Sequence, residues 1–283
     1  MTFANATQQQ QEASRPIIVE FFRREPVFAA AAFCLLMLTL PTAFAMLVDS
    51  RTLAGVNVWI KPLKFEISLA LYLATLAWFA GFLPPVTSRP WYKWFSALIV
   101  ACIAAEMVWI AGAAAYGVAS HFNTASPFME ALYKAMGLFA VILTSATLVY
   151  AVLIARSAKH NPISAFRTSM ISGLALTFLL TIPVAAYMAS GPGHSVGGNL
   201  SDAGGFPLVG WSRDGGDLRV AHFFAAHAMQ IIPLFGFIAE RAMTQPSARR
   251  AVLLFSGFYV MLVAYTFIEA LRGQPFLSMG LPL

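Results

Sequence analysis

The residues best able to do chemistry lie in one short stretch, Asp217–Gln230, which combines an acid, an arginine, two histidines and a glutamine. The residues that follow, Ile231–Ala239, are almost wholly apolar, so the stretch enters a helix that crosses a membrane. Polar groups inside hydrocarbon cost several kcal/mol unless they are paired. Ionisable residues there therefore indicate proton transfer, metal binding or ligand binding.

The two histidines of this stretch do not form a simple metal motif. On an α-helix, His222 and His227 are separated by about 140° and about 7.5 Å. Zinc-binding helices instead use ligands four residues apart, which lie on one face. We therefore expect different partners: His222 lies with Arg219 at an outer mouth, and His227 lies deeper with Gln230.

A lone glutamate in the third apolar run is a candidate partner for this deeper layer. Glu106 lies about 18 Å from the outer boundary of its run, near the centre of the bilayer. It can share a layer with His227 or Gln230 if the third and sixth spans are neighbours, and Glu269 would extend the set. We interpret these four residues as a candidate catalytic or proton-relay set. The alternative is a structural hydrogen bond that joins helices.

A second group of side chains could hold a cofactor at the outer mouth. Three histidines and an acid would suit zinc or copper, and the candidate ligands are His121, His194, His222 and Asp217. A haem would need axial ligands from two helices, and only His227 is deep enough. A metal ion or haem is thus a candidate cofactor, and hydrogen bonding or proton transfer by these histidines is the alternative.

Two lysines at the start of the second span indicate an anion. Positive charge at Lys61 and Lys64 opposes the dipole of the helix that begins near Pro62. The partner is either Asp49, Glu66 or a lipid phosphate, or else a substrate carboxylate or phosphate. The predicted ligand-binding set comprises Lys61, Lys64, Trp59, Arg219 and Asn123.

One serine matches a hydrolase pattern. The segment Gly193–Gly197 reads Gly-His-Ser-Val-Gly, which fits the G-x-S-x-G motif of lipases. That motif needs a strand–turn–helix, whereas this segment lies between two membrane helices. The position of this segment therefore argues against a nucleophilic role for Ser195. A metal-assisted membrane hydrolase is the third hypothesis for the protein, and it rests on the analogy with other proteins that combine seven helices with a histidine cluster.

The composition defines the elements that must position these residues. The chain is 59% hydrophobic and 11% charged, with a mean hydropathy of +0.72. A bilayer core about 30 Å thick needs roughly 20 helical residues per span. Seven runs meet or nearly meet this length, which predicts an all-α integral membrane bundle: Pro26–Val48, Phe65–Leu83, Phe95–Val118, Met129–Ala155, Ala165–Ala189, Val220–Ala239 and Ala251–Leu271.

Charge predicts the orientation of this bundle. The loops on one side hold 11 of the 18 lysine and arginine residues, which places the N-terminus in the cytoplasm and the C-terminus outside. We expect a cytoplasmic tail over 1–25 with a short amphipathic segment on the lipid surface, a domain over 26–272 with a long outer loop at 190–219, and an outer tail over 273–283. The basic balance reflects topology and attraction to membrane lipid, and it does not indicate nucleic acid.

Four strings of residues resemble a group of uncharacterised bacterial multi-pass membrane proteins. The resemblance implies a bacterial inner (cytoplasmic) membrane protein, and it implies no particular reaction or ligand. The strings are Asn57-x-Trp59-x-Lys61-Pro62-x-Lys64-Phe65, Ser120-His121-Phe122-Asn123, Gly193-His194-Ser195-Val196-Gly197 and Gly216-Asp217-Leu218-Arg219-x-x-His222-Phe223-x-x-x-His227.

The sequence therefore predicts a seven-helix bundle with a polar pocket that opens to the outside. The first hypothesis is a metal- or haem-binding redox protein in which Glu106 moves protons. The alternative is a proton-coupled carrier or sensor of a small anionic solute, attracted by Lys61, Lys64 and Arg219.

Overall fold

The structure is a computed structural model that describes residues 16–157, 164–207 and 209–277. The predictions for the extreme termini lie outside these ranges. Within them, seven helices are long and apolar enough to cross a membrane, which confirms the all-α class and the number of spans. The chain is thus a multi-pass membrane protein in architecture.

A short helix, α1 (Ile17–Arg24), precedes the spans. Helices α2 to α8 then form the seven spans, and the second ends in a 3₁₀ turn at Ala80–Phe82. In chain order they are α2 (Pro26–Val48), α3 (Ile60–Phe79), α4 (Pro90–Tyr116), α5 (Pro127–Ser157), α6 (Ala165–Ser190), α7 (Leu218–Ala242) and α8 (Gln245–Leu271). We call the end that carries loops 49–59, 117–126 and 191–217 the outer end, following the predicted orientation.

Helix α1 packs against the opposite end of the bundle. Its Ile17 and Ile18 are exposed, while Arg24 donates to the backbone oxygen of Trp78 at 2.8 Å near the end of α3. The same guanidinium lies 4.0 Å from the centre of the Trp78 ring. Arg24 therefore supplies a donor to the carbonyls that the last turn of α3 leaves without helical partners.

The seven spans pack around three apolar cores, one large and two small. Helices α2 to α5 contribute most of the larger core, and α6, α7 and α8 form the smaller ones. The closest helix pair is α6 with α7. Gly236 permits this approach, because a Cβ there would collide with the side chain of Ser169.

Two small hairpins order the outer loops. Strands β1 (Thr52–Leu53) and β2 (Val56–Asn57) pair antiparallel, as do β3 (Ser195–Val196) and β4 (Gly216–Asp217). Strand β4 lies so close to the end of α8 that a Cβ on Gly216 would collide with the backbone of Ala270. The glycine-rich outer loop therefore packs back onto the helices.

Candidate functional site

The start of α3 places two lysines on the inner side of the outer loops. Lys61 Nζ lies 3.2 Å from His121 Nδ1, which is also 3.1 Å from the hydroxyl of Ser120. Lys64 Nζ donates to the backbone oxygen of Val209 at 3.1 Å. Both lysines therefore contact the loops that close the outer end of the bundle.

The acids of the chain that we considered as partners of these lysines have other partners. Asp49 pairs with Arg51 at 2.6 Å and accepts a hydrogen bond from Trp59 Nε1 at 2.9 Å. Glu66 lies on another face of α3, where it accepts a hydrogen bond from Thr42 at 2.6 Å. The prediction that Asp49 or Glu66 neutralises the lysines is therefore wrong.

His121 is a neutral hydrogen-bond acceptor. Burial, together with the charge of Lys61 and the proximity of His222, lowers its pKa to about 3. Because Lys61 is a donor, Nδ1 of His121 accepts, and the ring proton resides on Nε2. His121 thus orients the lysine ammonium within the bundle without adding charge.

Glu106 lies below this pair on α4. It is 4% exposed, and its Oε1 has no hydrogen-bond partner among the described residues. Lys61 is the cation with which it interacts electrostatically. A buried carboxyl with an unpaired oxygen beside a lysine is suited to binding a proton or to holding water.

Helix α7 supplies the other side of this region. His222 is partly buried, and its buried Nδ1 has no hydrogen-bond partner among the described residues. It interacts electrostatically with both His121 and His227. The ring of His227 packs 4.2 Å from that of Phe223. We call Lys61, Glu106, His121, His222 and His227 the central polar cluster.

The third and sixth spans are connected through the second. Helix α7 packs most closely with α6 and α8, and α4 packs with α5, α3 and α2. Gln230 on α7 donates to Thr75 Oγ1 on α3 at 3.1 Å, and its own oxygen is left without a partner. Helix α3 therefore joins the two helices that carry Glu106 and Gln230.

A second charged group closes the outer end. Arg219 pairs with Asp217 at 2.7 Å and with Asp202 at 2.8 Å, and it donates to the backbone oxygen of Gly210 at 2.7 Å. His194 lies 3.6 Å from Asp217 and 3.9 Å from Asp202. We call these four side chains the outer charged network.

Asp217 accepts hydrogen bonds that hold its carboxylate in the ionised state. Its burial would raise the pKa, but hydrogen bonds from His194 and Arg219 outweigh that effect and hold the pKa well below its usual range. The backbone N–H of Ser212 also donates to its Oδ2 at 3.0 Å. Asp217 therefore stays ionised at neutral pH and anchors the loop to the start of α7.

The predicted metal set is not assembled. His121 contacts Lys61, whereas His194 and Asp217 belong to the outer charged network. Across the described residues, no three histidine, cysteine or acidic side chains are close enough together to hold a metal ion. The candidate ligands His121, His194, His222 and Asp217 are thus divided between two groups, because His121 comes from one outer loop, His194 and Asp217 come from another, and His222 comes from α7.

The serine motif does not form a catalytic relay either. Ser195 Oγ lies 3.2 Å from Nδ1 of His194, and Asp217 also approaches that same nitrogen. A serine–histidine–acid relay needs the acid within hydrogen-bond distance of the opposite ring nitrogen, whereas Asp202 lies 3.9 Å from it. A nucleophilic role for Ser195 therefore finds no support in the geometry of this segment.

Three predicted site residues lie apart from the central polar cluster. Glu269 pairs with Arg272 at 3.1 Å and lines a shallow cleft beside Asp217. Asn123 donates to the backbone oxygen of Ala119 at 2.9 Å and so shapes its own turn. Trp59 is engaged with Asp49, as described above.

The sequence argument missed Asp202 and Thr75. Asp202 lies in a glycine-rich loop without periodicity, so only the folded loop brings it to Arg219. Thr75 has the sequence context of an ordinary residue in an apolar helix. Only the fold shows that its hydroxyl accepts a hydrogen bond from Gln230.

The fold and the cluster together define a multi-pass helical membrane protein with buried ionisable groups near its outer end. Neither a family model, nor a curated protein, nor a solved structure matches this chain.

Proposed function

We propose that the protein binds a small anionic solute at the central polar cluster and couples binding to protonation of Glu106. The observation that carries this proposal is the partly buried ammonium of Lys61, which contacts neutral His121 and interacts electrostatically with the buried Glu106, whose Oε1 has no partner among the described residues. An ammonium in that position is a binding partner for a carboxylate or phosphate.

The charges around the site explain why a proton should accompany the anion. Lys61 and Lys64 each interact electrostatically with Arg219 and with acids of the same region. Those acids are Glu106, Asp202 and Asp217, so three positive charges face three negative ones. An added anion would leave the buried site negative, and a proton on Glu106 restores neutrality. Each ligand therefore favours binding of the other.

The geometry favours this function over a metal- or haem-dependent one. The central polar cluster contains a lysine in direct contact with a histidine, and an ammonium repels a metal cation. The visible spectrum and metal content of the purified protein separate the two hypotheses. A coloured or metal-loaded preparation would favour the redox hypothesis.

The proposed setting is the inner membrane of a bacterium, with the cluster open to the outer side and lipid as the surrounding partner. This follows from the predicted charge bias and from the resemblance in sequence, and the seven apolar helices are consistent with it.

Anion binding is tested by thermal unfolding of purified protein with acetate, lactate, phosphate or sulfate, at pH values between about 5 and 8. We expect at least one anion to stabilise the wild type, more strongly at lower pH, and Lys61→Gln to abolish the effect. Lys134→Gln is the matched control, because Lys134 forms only an exposed pair with Glu130. Equal stabilisation in both variants would refute the site.

A further inference from the structure

A second buried carboxyl lies on the face of α3 that contacts α2. Glu66 is 3% exposed. Its Oε1 accepts a hydrogen bond from Thr42 Oγ1 at 2.6 Å, and its Oε2 has no partner among the described residues. A polar atom left unpaired in such a place needs a physical explanation.

Both residues of this contact lie well inside their spans. Glu66 is six residues from the start of α3 and Thr42 is six residues from the end of α2, so each lies about 9 Å from the outer helix end. Glu66 is five residues from Lys61 on the same helix, which turns it about 140° away from the central polar cluster. The two buried carboxyls of this region therefore belong to separate sites.

The charged groups around Glu66 all have other partners. On α3, Lys61 contacts His121, and Lys64 donates to Val209. On α4, Glu106 interacts with Lys61.

Beyond the outer end of α2, Asp49 and Arg51 pair with each other. The protonation of Glu66 is influenced by its burial and by the hydroxyl of Thr42. Within the described ranges, no lysine, arginine or histidine contributes to it.

We propose that Glu66 is an intramembrane proton-binding site that carries its proton on Oε2 and joins α2 to α3. A carboxylate without a cation in this position would be a bare charge inside hydrocarbon, which costs far more than a neutral acid. The neutral acid keeps the hydrogen bond from Thr42 and places the proton on the oxygen that has no donor.

The consequence is structural. Helix α2 is the least buried of the seven spans, and α3 is its main contact within the bundle. Release of the proton would put a charge into that contact and loosen it. This site stands independently of anion binding, since Glu66 lies outside the central polar cluster.

Infrared spectroscopy of the protein in lipid nanodiscs tests the proposal. At about pH 8, solvated carboxyl groups are ionised, so a remaining carboxylic-acid C=O band reports a buried protonated group. We expect the wild type to show such a band and Glu66→Gln to lose it. Glu106→Gln is the matched control and should keep the band.

A spectrum that is identical in the wild type and in Glu66→Gln would overturn the proposal. Thr42→Val provides a second test that leaves the carboxyl in place. Because it removes the donor to Oε1, it should shift the C=O band without abolishing it. An unchanged band position in Thr42→Val would contradict the assignment even if Glu66→Gln failed to fold.

Discussion

At the scale of single residues, the groups of the central polar cluster differ in charge and in hydrogen bonding. Lys61 is held by a neutral histidine, while Glu106 keeps one oxygen unpaired. The cluster thus combines paired and unpaired polar atoms in a region of low dielectric constant. A change of one charge there alters the electrostatic energy of the other groups strongly.

Glu106→Gln should uncouple anion binding from pH. The amide has nearly the same shape but cannot take up a proton, so the stabilisation by an anion should become independent of pH between about 5 and 8. Thermal unfolding, or uptake of the identified anion into proteoliposomes, measures this. A pH dependence that persists in Glu106→Gln would assign the proton to another group.

His121 should make the protein less stable in mild acid. Its folded pKa of about 3 lies below the ordinary value of 6.5, so the unfolded chain binds the proton more readily. The stability that His121 provides is therefore complete above pH 6.5 and is lost as the pH falls toward 3. At about pH 5 the loss should be about 2 kcal/mol.

Unfolding temperatures measured across this range check the effect of His121. His121→Gln, which cannot titrate, should flatten the curve between about pH 6.5 and 5. An equally steep curve in the variant would show that other groups cause the acid sensitivity.

At the scale of elements, close helix packing decides where the polar side chains meet. Helices α6 and α7 approach closely at Gly236, which fixes α7 and hence the direction in which His222 and Gln230 project. Helix α3 receives Gln230 on one side and holds Glu66 against α2 on another.

Two glycine-to-alanine substitutions test this packing. Gly236→Ala should destabilise the protein by about 1–3 kcal/mol, because the new methyl group collides with Ser169. Gly257→Ala on α8 is the matched control: a Cβ there meets nothing within 4 Å, so the better helix propensity of alanine should leave stability equal or higher. Similar unfolding temperatures for both variants would argue against tight α6–α7 packing.

At the scale of the whole molecule, the central polar cluster and the outer charged network both lie toward the outer end of the bundle. The outer charged network ties loop 191–217 to the start of α7, above the central polar cluster. At the other end, α1 packs under α3 through Arg24.

Accessibility to a membrane-impermeant maleimide tests the predicted orientation. With Cys34 and Cys102 replaced by alanine, Ala203→Cys in the outer loop should label in intact cells. Ser88→Cys, in the short connection before α4, should label only after the membrane is permeabilised. The reverse pattern would invert the bundle and place the cluster on the cytoplasmic side.

The sequence by itself determined the class of the molecule and the positions of its spans. Runs of about 20 apolar residues are local signals. Within a bilayer such a run forms a helix, because a helix satisfies all its backbone hydrogen bonds internally. The predicted limits agree with the helices to within a few residues, and the second span begins earlier because Lys61 and Lys64 already belong to its first turns. Lys61, Glu106 and His222 were also recognisable as candidate site residues, since ionisable residues in apolar runs are conspicuous.

Only the tertiary structure decided which of these residues are partners. Its contacts join groups that are far apart in the chain, such as Lys61 with His121 and Glu66 with Thr42. The same holds for the ion pair of Asp202 with Arg219 and for the division of the four candidate metal ligands. The periodicity of a sequence predicts which face of a helix a residue occupies, but it does not predict which other helix packs against that face. That choice follows from side-chain packing, such as the approach of α6 to α7 at Gly236, and from the folding of irregular loops.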